Sequence, residues 1–256
     1  MTALTAAPSR HRTAAGRLGS IIRLHAANPA TILYTPLIIT AVILAGNMIV
    51  WWLILRGLNS GERLEAQEGM TYSGASFFLF VYMMVVAVQS VNVTFGLALG
   101  YGATRRDFSL GTALTFIGLS VFYTAVFVVL GIVERASNGW GFGGSFFRSI
   151  YFGGDSVLEQ AIAVLCTLLF FFFIGAATAA VSVRWRQRGM LLFFGILGAL
   201  VLAVIALLSL TGSWPAVGSF FASVGYAGGY ALSLIPTALA AVAGWAILRR
   251  ATPRTS

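Results

Sequence analysis

The chain has 256 residues, 59% of them hydrophobic and only 9% charged, with a formal net charge of +9. A water-soluble domain carries roughly 25% charged residues, so this chain has too little polar surface to cover a globule in water, and its solvent is largely lipid. All sixteen basic residues are arginine, which excludes a P-loop and a Schiff-base lysine; Cys166 stands alone, and the two histidines, His11 and His25, precede the first apolar run, which excludes an intrachain disulfide and an intramembrane metal cluster.

Residues 1–16 are polar and small and read as a cytoplasmic tail, without the apolar core and cleavage site of a removable signal peptide. Over 17–27, Leu18, Ile21 and Ile22 fall on one helical face, with Arg17, Ser20 and Arg23 largely elsewhere. That pattern predicts a short helix in the membrane interface; a plain polar lead-in is the alternative. Asn28-Pro29 is a helix start, with Asn as cap and Pro at the first helical position. A first span follows over 32–55, with Pro36 placed to kink its first turns and Trp51 and Trp52 where an aromatic belt sits. A loop over 56–71 carries Arg56, Glu62, Arg63, Glu65 and Glu68.

A second span covers 74–99, and a third covers 108–133 and ends at Glu134 and Arg135. The next loop, 136–155, is rich in Gly, Ser and aromatics. Ser156 and Glu159 are spaced as a capping box for a span over 160–183. Arg184, Arg186 and Arg188 form a basic turn before a span over 189–210. Residues 211–226 are uncharged and hold Trp214, Pro215, Phe220, Phe221 and Tyr226, which predicts a short helix dipping into the outer interface. The last span, 228–248, stops at Arg249-Arg250.

Each span is long enough to cross a hydrocarbon core of ~30 Å. With the N-terminus inside, the segments 1–31, 100–108, 184–188 and 249–256 are cytoplasmic. They hold twelve of the sixteen arginines and one of the seven acids, as the positive-inside rule requires. This distribution also accounts for the sequence pI near 10.6, so the basic balance implies no nucleic acid. The expectation is an all-α, polytopic membrane bundle: six transmembrane helices, both termini cytoplasmic, and a single transmembrane domain over 17–256.

No Asp, Glu, Arg or His lies between the ends of any span. Ion-coupled transporters, pumps and voltage sensors place such a residue within the bilayer, and intramembrane proteases need one for catalysis. The chain therefore moves something passively or takes energy from a partner. The polar interior residues are Asn47 in the first span and Gln89, Asn92 and Thr94 in the second. Gln89 and Asn92 share a helix face. They read either as a stripe along a substrate path or as interhelical hydrogen bonds holding the bundle. Gly96 and Gly100 have the spacing that permits close helix approach. Phe170 to Phe173 read as lipid-facing bulk, followed by a small-residue packing face over 175–180.

The turn between the second and third spans reads Gly102-Ala103-Thr104-Arg105-Arg106-Asp107-Phe108. Glycine ends one helix, and Thr104 with Asp107 is spaced as a capping box that starts the next. Here the chain resembles the permease subunits of ABC-2 type transporters, in which a turn of this form follows the second span. The ending Gly244-Trp245-Ala246-Ile247-Leu248-Arg249-Arg250, the six-span layout, the N-terminal interfacial helix and the outer segment before the last span are similar as well. The layout covers the whole chain, and the motifs about fifteen residues.

The resemblance implies a bacterial plasma-membrane permease that dimerises with a second copy or a paralogue and recruits cytoplasmic ABC ATPase subunits. ATP and Mg would be bound by that partner, with no cofactor, metal or catalytic residue in this chain. Gly102, Thr104, Arg105, Arg106, Asp107 and Phe108 would lie where the ATPase docks, and the turn Arg184 to Arg188 is a second candidate. The short loop after the first span departs from family members with a large outer domain. Two other classes compete. One is a passive channel, immunity or scaffold protein without an ATPase. The other is a lipid-modifying enzyme, for which Glu134, Asp155 and Glu159 are the only clustered acids; they read as solvated loop charges and a helix cap.

Overall fold

The computed structural model of the chain describes residues 14–153 and 156–251. Most of the expected tail over 1–16, and Asp155, lie outside these residues. Within them the regular structure is helical: α1 (Ala14–His25), α2 (Thr35–Leu55), α3 (Ser60–Met70), α4 (Phe78–Gly100), α5 (Arg105–Ala136), α6 (Val157–Leu210), α7 (Trp214–Leu232) and α8 (Leu234–Leu248). Five stretches are long and apolar enough to cross a bilayer: Ala30–Leu55, Ser60–Gly100, Arg105–Ala136, Val157–Leu210 and Trp214–Leu248. The protein is a helical, multi-pass membrane bundle. One end carries Arg105, Arg106, Arg184, Arg186, Arg188, Arg249 and Arg250 and is called the arginine end; the other carries the loops with most of the acids.

The first half of α6 is the hub, packed along α8, α4 and α5. Its small-residue face does this. Gly175 lies so close to Met84 and Ala87 of α4 that a Cβ would collide, and Gly244 of α8 approaches Ala177. Phe172, expected to face lipid, is wholly buried and stacks on Phe116 with ring centroids 4.9 Å apart. Trp51 is likewise not a belt residue: it is 3% exposed beneath Gly144, whereas Trp52 is exposed with Arg56 over its ring. A Cβ at Gly96 or Gly100 would meet nothing within 4 Å among the described residues.

The kink expected at Pro36 takes the form of a π-helical turn over Ala30–Tyr34. Proline has no N–H to give the carbonyl four residues back, Ile32 O. Tyr123 of α5 supplies the missing donor, its hydroxyl reaching Ile32 O at 2.7 Å and Leu33 O at 3.3 Å. The stretch 56–71, expected as a loop, contains α3. Asn59 caps it, accepting from Glu62 N while Glu62 Oε2 accepts from Asn59 N, both at 3.1 Å.

The glycine-rich loop after α5 is folded around one carboxylate. Glu134 is 0% exposed, not solvated. Its Oε2 accepts from Trp140 Nε1 at 2.9 Å, Phe146 N at 2.9 Å and Phe147 N at 3.0 Å, and its Oε1 accepts from Arg148 N at 3.0 Å. Gly139, with φ +63, sits so tightly against the Gly144 backbone that a Cβ would overlap it. Gln160 Nε2 donates to Phe147 O at 2.9 Å, and Gln67 Nε2 to Phe142 O at 2.9 Å, so α3 and α6 both grip the loop.

The helix assigned to α6 runs 54 residues but breaks at Arg186, where φ is 59 and ψ −152. Beyond that break its side chains are nearly all exposed down to Leu210, and α7 buries no residue. Replacing Glu134 with Gln puts an amide NH₂ against backbone N–H groups. It is expected to cost about 3 kcal/mol and to open residues 137–153 to protease; a melt in detergent and limited proteolysis read both, and an unchanged melt contradicts the caging role.

Candidate functional site

The candidate site is built at the arginine end from the turn joining α4 to α5. Helix α4 ends in a Schellman motif: Ala103 N donates to Ala98 O and Gly102 N to Leu99 O, both at 3.0 Å. Gly102 takes φ +82, a left-handed conformation that any Cβ would strain. Thr104 then caps α5, its hydroxyl accepting from Asp107 N at 3.0 Å.

The other half of the expected capping box is not formed. Asp107 turns instead to α1, where its Oδ2 accepts from Arg17 Nε at 2.9 Å. A carboxylate in the first turn of a helix also meets the positive end of the helix dipole. Phe108 is wholly buried, edge-on to Phe95 at 5.3 Å. Arg105 Nη1 donates to Arg249 O at 2.6 Å. That carbonyl belongs to the C-cap of α8, one of the groups a helix end leaves unsatisfied. Arg106 is exposed and has no partner among the described residues. Of the six predicted docking residues, Asp107 and Phe108 face inward, Arg105 ties α5 to α8, and Gly102, Thr104 and Arg106 present the surface.

Helix α1 completes the platform. Leu18, Ile21 and Leu24 turn toward the bundle, with Ile21 on Gly111 of α5, while Ile22 of the expected apolar face points outward. His25, 5% exposed, bridges two helices: Nδ1 lies 2.6 Å from Ser90 Oγ of α4 and Nε2 2.9 Å from Thr112 Oγ1 of α5. Burial pushes its pKa down from 6.5 to about 4, so the ring is neutral at physiological pH. Sequence reasoning named Arg17, His25 and Arg249 but gave none of them a bond to this platform. Their pairings span long chain separations and leave no local spacing to detect.

The four predicted path residues do not converge. Thr94 is buried and returns its hydroxyl to Ser90 O at 2.7 Å on its own helix. Asn47 bonds within α2, Nδ2 to Ile43 O at 3.3 Å, and takes a 3.5 Å contact from Ser73 toward the other end. Gln89 and Asn92 do share the exposed face of α4, and Asn92 Oδ1 accepts from Ser182 of α6 at 2.7 Å. Beside that pair lies a groove of about 400 Å³ reaching Arg186, Gln187 and Met190. The second candidate turn thus abuts Asn92. Its Arg186 holds a positive φ that is uncommon for a residue other than glycine, and Arg184 lies over the Trp185 ring at 4.5 Å. Among the described residues no cluster of His, Cys, Asp and Glu has the makings of a metal site.

No family model matches this chain, and neither the curated proteins nor the solved structures show a match to it.

A pH dependence follows from His25. Its folded pKa lies below the unfolded value, so the unfolded chain binds more protons between about pH 4 and 6.5, and stability is lost as pH falls through that window. The loss is expected to reach about 3 kcal/mol at its lower edge. His25→Gln is expected to flatten the dependence; melts from pH 7.5 to 4.5 that coincide for the two proteins contradict it.

Proposed function

We propose that this chain is the membrane-embedded permease subunit of an ATP-binding cassette exporter, working as a dimer with a second copy or paralogue and driven by separate cytoplasmic ATPase subunits. The observation that carries the reading is the turn Gly102–Phe108. Its backbone is fixed by a Schellman motif and a helix cap, Asp107 and Arg105 lock it to α1 and α8, and Arg106 is left unengaged among the described residues at its surface. A surface that receives mechanical work from a partner has to be stiff and already ordered, and this one is tied to three helices.

Six spans with both termini cytoplasmic fit this reading. A straight helix of 54 residues is about 80 Å long, far beyond a hydrocarbon core of ~30 Å. The break at Arg186 divides it into two lengths that each suit one crossing, with Arg184, Arg186 and Arg188 at the bend on the positive-inside face. On this reading the permease itself has no catalytic step. ATP and Mg are bound by the partner, and the change between inward and outward states comes from contacts the partner makes differently in each. The bacterial plasma membrane is the proposed location.

Topology is tested by single cysteines placed at Gln187, Gly141 and Glu65 in a Cys166→Ala background. The Gly141 and Glu65 sites are expected to label from outside the cell and the Gln187 site only after permeabilisation; labelling of Gln187 from outside removes the sixth span.

Partner recruitment is tested by mild-detergent purification from the native membrane. A P-loop ATPase is expected to co-purify in near-stoichiometric amount and to fall at least tenfold with Arg106→Glu. Arg106 is preferred to Arg105 because the latter also holds α8. A preparation without a nucleotide-binding partner removes the transporter reading.

A further inference from the structure

A groove between α5, α6 and α8 opens beside the turn, whose Arg106 and Phe108 line its near end, and lies away from Gln89 and Asn92 on the polar face of α4. It encloses about 350 Å³, within the ~300–1,000 Å³ of small-molecule sites. Its wall is apolar, formed by Ala113 and Phe116 of α5, Phe173 of α6, and Ala241 and Trp245 of α8, with Arg106 at its arginine end. From Arg106 to Phe116 the axis of α5 rises about 15 Å, half of a ~30 Å hydrocarbon core. The rings of Phe116 and Phe173 stand edge to face with centroids 6.3 Å apart at the far end. The groove therefore has the depth of one leaflet and stops near the bilayer midplane. A transmembrane helix of a partner would need to continue past that stop; a single acyl chain would not.

The charge at the mouth names the headgroup. Arg106 is exposed and partner-free among the described residues. Arg249 lies over the Trp245 ring at 4.4 Å, placing a second guanidinium beside the groove. Arg105 is bonded to the Arg249 carbonyl, which keeps a third nearby. Among the described residues Asp107 is the carboxylate at this end, and it is engaged by Arg17. Apolar depth of one leaflet, an interfacial tryptophan and uncompensated guanidinium groups match an amphipath with a phosphate head.

We infer that the groove between α5, α6 and α8 holds an acyl chain of an anionic phospholipid from the arginine-side leaflet, its phosphate bound by Arg106 with Arg249 beside it. This rests on the membrane bundle and not on the transporter reading.

The test uses the full chain purified in neutral detergent without nucleotide or partner. Native mass spectrometry compares retention of phosphatidylglycerol and of phosphatidylcholine with the same acyl chains. One phosphatidylglycerol per chain is expected, preferred about fivefold. Arg106→Gln is expected to erase the preference and keep weak retention of both lipids. Ala241→Phe, which fills the groove, is expected to abolish retention of both, and Ala113→Leu fills it from the opposite wall should the first variant melt early. Arg188→Gln, at the same end but away from the groove, is expected to change nothing, and excess glycerol phosphate to displace nothing. Equal retention of the two lipids by the parent overturns the site. So does a preference that survives Arg106→Gln, or one lost equally with Arg188→Gln, which would mean general attraction to a cationic face. Displacement by glycerol phosphate would mean a phosphate site without a lipid. None of these outcomes bears on whether an ATPase co-purifies.

Discussion

In hydrocarbon no water is present to satisfy a backbone N–H or C=O, so each one freed at a helix end or break needs a partner from the protein. Much of this structure follows from that constraint. Pro36 frees Ile32 O, and Tyr123 reaches it across from α5. At the arginine end, outside the hydrocarbon, the end of α8 likewise frees Arg249 O, and Arg105 reaches it from the start of α5. The loop after α5 turns its amides inward, and Glu134 takes three of them and the Trp140 indole. Tyr226 accepts from Gly153 N, and Tyr230 donates to Tyr151 O, joining the α7 region to the same loop. Each repair is also a tertiary link. The side chains that satisfy the backbone fix how the helices sit.

The two ends solve the problem with different chemistry, and this decides which end suits a partner. At the acidic-loop end the answer is burial: Glu134, Gln160, Phe146, Phe147 and Phe152 are closed in, forming a plug of aromatic rings around a satisfied carboxylate. At the arginine end the links lie at the surface. Arg17 stays partly exposed while its partner Asp107 is buried, and Arg106 is unengaged among the described residues. The first arrangement seals; the second leaves charge available to whatever binds there.

The sequence made some of this legible and hid the rest for a consistent reason. Features written within four or five residues were readable: the helix stop at Gly102, the Thr104 cap, the Ser156 cap, the kink at Pro36 and the small-residue face around Gly175. The cap of α3 was equally local, in Asn59 and Glu62, but its polar composition resembled a loop. What could not be read was side-chain choice between a local and a distant partner. Asp107 was spaced to bond Thr104, yet a guanidinium ninety positions away offers a stronger, charge-assisted bond. Glu134 ended a span as a solvated charge would, and only the returning amides of Phe146 to Arg148 make its burial tolerable. Among the candidate path residues, helix periodicity grouped Gln89 with Asn92 correctly, but it had no means of turning Thr94 into the core or of relating Asn47 to either.

These links also decide how the candidate site behaves as a mechanical object. Arg105 joins the first turn of α5 to the last of α8, Asp107 joins that same turn to α1, and His25 joins α1 to the middle of α4 and to α5. A displacement applied to the turn is therefore shared by four helices. The second half of α6 is different: past the break at Arg186 almost every side chain is open to whatever surrounds the chain. An apolar helix with so little packing among the described residues keeps its secondary structure in lipid because its own hydrogen bonds are satisfied, but its exposed side chains give its angle little support. The bundle thus divides into a block tied to the turn Gly102–Phe108 and a hairpin of the later α6 and α7, joined to it through the bend at Arg186, the run of α7 into α8, and the Tyr226 and Tyr230 contacts. On the permease reading, motion arises between these two parts, and Asn92, Ser182 and Arg186 lie along the seam where they meet.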